Sequence, residues 1–253
     1  MSEVKPILSI RGLVKSFGGL LATDHIDFDL LPGEVHAVIG PNGAGKTTFL
    51  SQLAGELRPD EGSIVFGDVD ITHKPVPERA KAGVGRSYQI SQVFRDMTAL
   101  ENVLLAVQAT EAGSFSFLPS VFDDEKLLEA ARHHLRLCGL GARENTVVSI
   151  LAHGEHRQLE LAMTLATRPT VLLLDEPMAG MSQAESVDMI KLLKEIKKHY
   201  AIVLVEHDMD AVFSLADRIS VLVYGRVLVT GTPEEIRENE LVKEAYLGDQ
   251  EEV

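Results

Sequence analysis

Two stretches of this chain hold residues whose types and spacing suit phosphate chemistry. The first is Gly40-Pro41-Asn42-Gly43-Ala44-Gly45-Lys46-Thr47, which follows the apolar run 35–39 and precedes Thr48-Phe49-Leu50. A glycine-rich loop that leaves a buried strand and opens a helix is the setting of a phosphate-binding P-loop. Glycines let the backbone curl so that several N–H groups meet one anion, and the following helix adds its positive end. Lys46 would reach the terminal phosphates, the Thr47 hydroxyl would coordinate Mg²⁺, and Thr48 closes the segment expected to touch the nucleotide. A glycine turn before an ordinary helix is the alternative, and it loses ground once the flanking strand and helix are counted. Nucleotide binding follows from this motif alone.

The second stretch is Leu172-Leu173-Leu174-Asp175-Glu176-Pro177. An apolar strand that delivers Asp175 to its carboxyl end places a carboxylate at the ligand-binding edge of an open sheet, where it can hold Mg²⁺ through water. Glu176, beside it, is suited to orienting and deprotonating an attacking water. A helix-capping acid pair after a strand is common, but an upstream P-loop makes it the minority reading.

These side chains need a scaffold, and the composition permits one. The chain has 253 residues, 45% of them hydrophobic, enough for a full core in one large domain or a domain with a sizeable insert. A formal charge of −14 argues against a surface that binds nucleic acid broadly, and no nucleic-acid partner is expected. The single cysteine, Cys138, precedes Gly139 at an expected helix end, which excludes an internal disulfide and suits a packing role in a reducing compartment. Met1-Ser2-Glu3-Val4-Lys5-Pro6 places charge and proline where a signal peptide needs an apolar core, and no later run has the length of a membrane span. A soluble chain is expected, with any membrane work done through a partner.

Alternation over 7–30, with Ile26, Phe28 and Leu30 on one face and Asp27 and Asp29 on the other, predicts an antiparallel strand with one wet face. A helix is expected over 47–56 and a hairpin around Gly67-Asp68, then a short helix over 76–82 and a strand over 84–88 ending at Gln89. Residues 100–109, 125–138 and 159–166 show helical apolar spacing with no comparable strand between them, which reads as a helical insert between two parts of one α/β domain. Within it, 111–122 breaks the pattern with Gly113, Phe115, Phe117 and Pro119, either a loop whose aromatics tuck inward or a contact surface. Strands at 171–174 and 201–205 then alternate with helices at 184–198 and 209–215, followed by strands at 219–223 and 227–229. Thr232-Pro233-Glu234-Glu235 opens a last helix with a capping threonine, a first-turn proline and Glu at the third position.

With these motifs in place, the chain resembles the ATPase subunits of ABC transporters along nearly its whole length. The resemblance implies a P-loop NTPase α/β fold with a RecA-like core, an antiparallel β-subdomain and an inserted helical subdomain. Residues 1–89 and 167–231 would form the catalytic core, 90–166 the helical subdomain and 232–253 a helical tail of a single domain 1–253. Leu151-Ala152-His153-Gly154-Glu155-His156-Arg157-Gln158 is similar to the family signature at a helix start, with Ala152 where Ser is usual and Glu155 where Gln is usual. Without that hydroxyl, the backbone amide of Gly154 would carry more of the γ-phosphate contact. Gln89 matches the glutamine that senses Mg²⁺ near the membrane subunit, and His207 the histidine that touches the γ-phosphate. Phe17, between Lys15-Ser16 and Gly18-Gly19, matches the aromatic that stacks on adenine, a contact of about 1 kcal/mol, with core packing as its rival. Ala179-Gly180-Met181-Ser182 ends in Ser182 where the family usually has Asp. A metal site at histidines 133, 134, 153 and 156 is disfavoured, because adjacent residues diverge around a helix and no cysteine or acidic ligand set accompanies them.

The resemblance further implies two ATPase subunits, identical or paralogous, facing head to tail with each ATP between one P-loop and the other subunit's signature. Within the family, the 111–122 segment, the Ala-Gly-Met run after Pro177 and the Ala245-Tyr246-Leu247-Gly248 ending are most similar to branched-chain amino-acid importers. Integral membrane permease subunits and a periplasmic or extracellular solute-binding protein would be the further partners, and the chain would sit peripherally on the cytoplasmic face of the inner membrane. Amide, urea and lipopolysaccharide systems share parts of the pattern. A soluble ABC ATPase in metal-cluster assembly is a rival from another class, and a P-loop kinase a second that leaves the signature and His207 unexplained.

Overall fold

A computed structural model describes residues 4–87, 93–111 and 124–247. The alternating N-terminal stretch is two strands, β1 (Leu8–Phe17) and β2 (Leu20–Leu30), which fold back on each other at Gly18-Gly19 instead of running on as one. Gly18 stands at φ 61°, the left-handed backbone a tight reversal needs. Ile26, Phe28 and Leu30 are buried as the alternation requires. After β3 (Val35–Ile39) and α1 (Lys46–Ala54), β4 (Glu61–Phe66) and β5 (Val69–Asp70) form the hairpin expected around Gly67-Asp68. These strands complete an antiparallel sheet in the order β2-β1-β4-β5.

Next come α2 (Val76–Ala82) and β6 (Val84–Arg86), then the helices α3 (Ala99–Glu111), α4 (Glu125–Leu137) and α5 (His153–Ala166). The chain re-enters the larger sheet with β7 (Val171–Asp175), α6 (Gln183–Ile196), β8 (Ala201–Val205), α7 (Met209–Leu215) and β9 (Arg218–Val223). β10 (Arg226–Gly231), α8 (Pro233–Glu238) and α9 (Glu240–Leu247) follow. The larger sheet runs β10-β9-β3-β8-β7-β6, parallel throughout except for the edge strand β10. Every residue of β3, β7 and β8 is buried, because helices and the second sheet cover both faces.

Val103, Leu104 and Val107 of α3, Leu135 of α4 and Leu159 and Ala162 of α5 share one apolar core with Leu172, Leu174 and Leu204 of the sheet. The inserted helices therefore pack onto the parallel sheet through continuous apolar contact. The opposite face packs against α1 and the antiparallel sheet through Val171, Leu173, Val203, Phe49, Leu50 and Ile10. Cys138 caps α4 and is buried, and burial pushes its thiol up to about 12, which suits packing and not reactivity. Thr232 and Glu235 form the capping box at α8, Thr232 N–H donating to Glu235 Oε2 at 2.8 Å. No helix among the described residues is long and apolar enough to cross a membrane. Tyr88, the expected end of β6, the 112–122 part of the expected loop and Gly248 lie outside the described residues.

Candidate functional site

The parallel strands deliver the loops after β3, β7 and β8 to one edge of the sheet, where ligands bind in open α/β folds. Gly40 leaves β3 at φ 152°, and a Cβ there would lie 2.0 Å from the Leu222 carbonyl oxygen. Gly45 stands at φ 102°, and a Cβ there would lie 2.1 Å from the carbonyl oxygen of Ala22. Close backbone on both sides thus demands glycine at these two positions. Between them Pro41, Asn42, Gly43 and Ala44 form the turn, with Ala44 N–H donating to the Pro41 carbonyl at 3.2 Å. Lys46 Nζ arches back over it, 2.7 Å from the Gly40 carbonyl and 2.9 Å from that of Pro41.

Gly45 caps α1 without a side-chain hydrogen bond, and the first turn holds no acid, so Lys46, Thr47 and Thr48 open a helix end that carries positive potential and no carboxylate of its own. That end suits phosphate oxygens.

Asp175 closes β7 with its side chain buried. Its Oδ2 lies 3.1 Å from Arg86 Nη2, whereas Oδ1 is buried with no hydrogen-bond partner among the described residues. Burial raises the Asp175 carboxyl above its ordinary range, with the Arg86 guanidinium opposing. An orphaned, buried carboxylate oxygen at the ligand-binding edge of the sheet fits a hydrated divalent cation. Arg86 is itself anchored, Nη1 lying 2.7 Å from Glu56 Oε2 and 3.0 Å from Ser51 Oγ.

Glu176 turns the chain at φ 48°, a conformation costing a non-glycine residue on the order of 1 kcal/mol. Its N–H donates to the Val205 carbonyl at 2.9 Å, so the strand pairing of β7 with β8 continues into the loop. His207, just past β8, places Nδ1 3.9 Å from Glu176 Oε1. The structure therefore brings Glu176, which follows Asp175 at the end of β7, to His207 past the end of β8.

The start of α5 is held differently. Ala152 occupies the cap position and has no side-chain acceptor to offer; Glu155 reaches back instead, accepting from Ala152 N–H at 2.9 Å and pairing with Arg143 Nε at 2.7 Å. Burial opposes ionisation of Glu155, yet these donors hold its carboxyl below the ordinary range. His153 Nε2 lies 3.0 Å from the Ala179 carbonyl, and a Cβ on Gly154 would meet Glu185 Oε1 at 2.5 Å. The helix start is thus docked on the loop that follows Glu176. Ser182, where the family usually has Asp, caps α6: its hydroxyl donates to Glu185 Oε2 at 2.6 Å and accepts from Glu185 N–H at 3.4 Å. An Asp there could accept the Glu185 N–H but could not donate to the Glu185 carboxylate.

Phe17 ends β1 about half exposed, with Lys15 Nζ 5.8 Å from its ring, so core packing is not its role and a face is open for stacking. Gln89 lies outside the described residues. Two residues here escaped the sequence reading, Arg86 and Glu206. Each is a charge at the end of a buried strand, which was the available signal.

Residues 23–179 match the ABC transporter family, and residues 226–252 match the branched-chain amino acid ATP-binding cassette transporter family. The chain is similar to the high-affinity branched-chain amino acid transport ATP-binding protein LivG of Escherichia coli (strain K12), at 41% identity over 97% of this chain and 99% of the relative. It is 33% identical to the lipopolysaccharide export system ATP-binding protein LptB of Acidithiobacillus ferridurans, over 99% of both chains. Among solved structures, a nucleotide-free ATP-binding cassette from an ABC transporter superposes with a TM-score of 0.85 at 29% identity, covering 96% of this chain and 99% of the other.

Proposed function

The chain belongs to the ABC transporter family of ATP-hydrolysing cassettes, and on that premise we propose that it powers an importer for branched-chain amino acids. The observation that carries the solute class is the match of 226–252 to the branched-chain amino acid cassette family, together with the 41% identity to LivG. The lower identity to LptB, 33%, ranks lipopolysaccharide export as the second reading.

Each chain holds one glycine-rich loop and one α5 start, so two chains, identical or paralogous, face head to tail to complete a site. Phe17 stacks on adenine, residues 40–48 wrap the phosphates with backbone N–H groups, and Lys46 sets a positive charge against the terminal ones. Thr47, Asp175 and Gln89 would hold Mg²⁺, which would neutralise charge on the phosphate oxygens. Glu176 orients a water for in-line attack and takes its proton, while His207 contacts the γ-phosphate. Ala152, Gly154 and Glu155 of the facing subunit close the site from the other side. ATP favours the closed pair, hydrolysis reopens it, and this differential affinity drives the conformational cycle. Residues 90–166 serve as the helical subdomain and 232–253 as the tail. The assembly sits on the cytoplasmic face of the membrane, bound to permease subunits that receive solute from a binding protein.

The test is to extract the tagged chain gently from its own membranes, identify what accompanies it, and measure ATPase activity in lipid. Multi-span subunits with stimulation by leucine, isoleucine or valine plus a binding protein are the expected result. Stimulation by lipopolysaccharide instead would install the second reading, and soluble activity without membrane partners would end the transport proposal.

A further inference from the structure

Glu206 is 1% exposed, and among the described residues no lysine or arginine pairs with it. A buried carboxylate is costly unless hydrogen bonds replace its water; here burial raises the carboxyl above its ordinary range, and backbone N–H groups of Met178, His207 and Asp208 offset part of that. Oε1 accepts from Met178 N–H at 2.9 Å, in the loop that carries Glu176. Oε2 accepts from His207 N–H at 3.0 Å and faces Asp208 N–H at 3.5 Å, in the loop that carries the histidine. The His207 ring also faces it, Nδ1 lying 3.8 Å from Oε2. All three backbone partners are donors, so each oxygen must act as an acceptor.

We infer that Glu206 is a positioning residue for hydrolysis, one carboxylate tying the loop of Glu176 to the loop of His207 and so setting the spacing between them. The inference rests on the roles proposed above for Glu176 and His207. Parallel strands β7 and β8 end side by side, and among the described residues no ladder continues beyond the Glu176 N–H bond to Val205 to join the two loops. Glu206 supplies the missing cross-tie. Glutamine is nearly isosteric but offers one acceptor and one donor, so one of the two loops would lose its acceptor and meet an N–H instead. Buried beneath the two loops, Glu206 acts through its two neighbours.

The experiment is a double-mutant cycle in the full transport complex: Glu206→Gln, His207→Ala and the pair, with kcat, KM for ATP and thermal stability measured for each. The expected result is a kcat lowered about 10- to 100-fold in Glu206→Gln, as for a small misplacement of catalytic groups, with KM changed less than about 3-fold. In the His207→Ala background the same change should cost clearly less than in the wild type, because only the Glu176 loop is then left to position. Wild-type kcat in Glu206→Gln, or full multiplication of the two effects, overturns the inference. Should Glu206→Gln fail to fold, Glu206→Asp keeps both acceptor oxygens on a shorter stem and enters the same cycle with the same criteria. If Glu176→Gln and His207→Ala themselves leave kcat unchanged, the roles assigned to the site fail first; if they abolish turnover and Glu206→Gln does not, only the positioning role falls.

Discussion

Arg86 and Asp175 form an ion pair at the ends of two neighbouring parallel strands, Nη2 of one 3.1 Å from Oδ2 of the other. The guanidinium also reaches Glu56 at 2.7 Å, so one buried cation compensates two acids. Removing it strands a fully buried carboxylate, which costs about 3–5 kcal/mol. Arg86→Met should therefore destabilise the chain by about that amount in urea titrations, and Arg86→Lys by less, since an ammonium keeps the charge but reaches only one acid well. A loss below about 1 kcal/mol for Arg86→Met would show that the pair contributes little.

Glu176 sits where the β7–β8 pairing turns into loop, 3.9 Å from His207. Glu176→Gln keeps the size and removes the base. ATP binding should persist, hydrolysis should fall at least about 100-fold, and an ATP-dependent dimer should accumulate because the closed pair no longer reopens. Steady-state phosphate release and light scattering with ATP test both halves. Turnover near the wild-type rate would remove Glu176 from the chemistry.

How far the sequence discloses this site depends on the range of the interaction concerned. The strands at 171–174 and 201–205 are legible because burial on both faces leaves uninterrupted apolar runs. The helices over 76–82 and 209–215 are legible too, bounded by Pro75 and Gly83 and by the Asp208 cap. The start of α5 is legible only through the resemblance of 151–158 to the family signature, not through apolar spacing. Apolar spacing begins near Leu159, whereas the helix begins at His153, because its polar first turn is held by Glu155 and by the loop after Glu176. Arg86 and Asp175 are 89 residues apart and Glu206 and Met178 are 28 apart, and a pairing at that distance leaves no local pattern.

Gly154 tests that tertiary docking. Alanine there should strengthen a helix by about 0.5–1 kcal/mol, yet its Cβ would stand 2.5 Å from Glu185 Oε1 and 2.9 Å from Cδ. Glu185 cannot withdraw without cost, since the Ser182 hydroxyl and N–H, with the Gly154 N–H, hold its carboxyl in place and below the ordinary pKa range. Gly154→Ala should lower stability by about 1 kcal/mol in the wild type and raise it in a Glu185→Ala background. Thermal unfolding of the four variants measures the difference. Equal effects in both backgrounds would mean that Glu185 gives way freely.

His36 predicts the acid response of the fold. It lies in the middle of the parallel sheet, 1% exposed, with Nδ1 3.2 Å from the Asp29 carbonyl and Nε2 2.8 Å from Ser220 Oγ. A neutral ring satisfies both, donating from Nδ1 and accepting the serine hydroxyl at Nε2. Burial, with Arg218 adding repulsion, pushes its pKa down to about 3, and Glu34 Oε1 at 3.5 Å does not reverse this. An unfolded histidine titrates near 6.5, so between these values the unfolded chain binds the extra proton and stability falls as pH drops below about 6.5. The loss is about 1.4 kcal/mol per pH unit, hence about 2 kcal/mol at pH 5. His36→Gln removes this proton while leaving the other titrating groups in place. The wild type should therefore lose about 2 kcal/mol more than the variant between pH 7 and pH 5 in urea unfolding, and parallel losses in the two proteins would show that His36 accepts its proton while still folded.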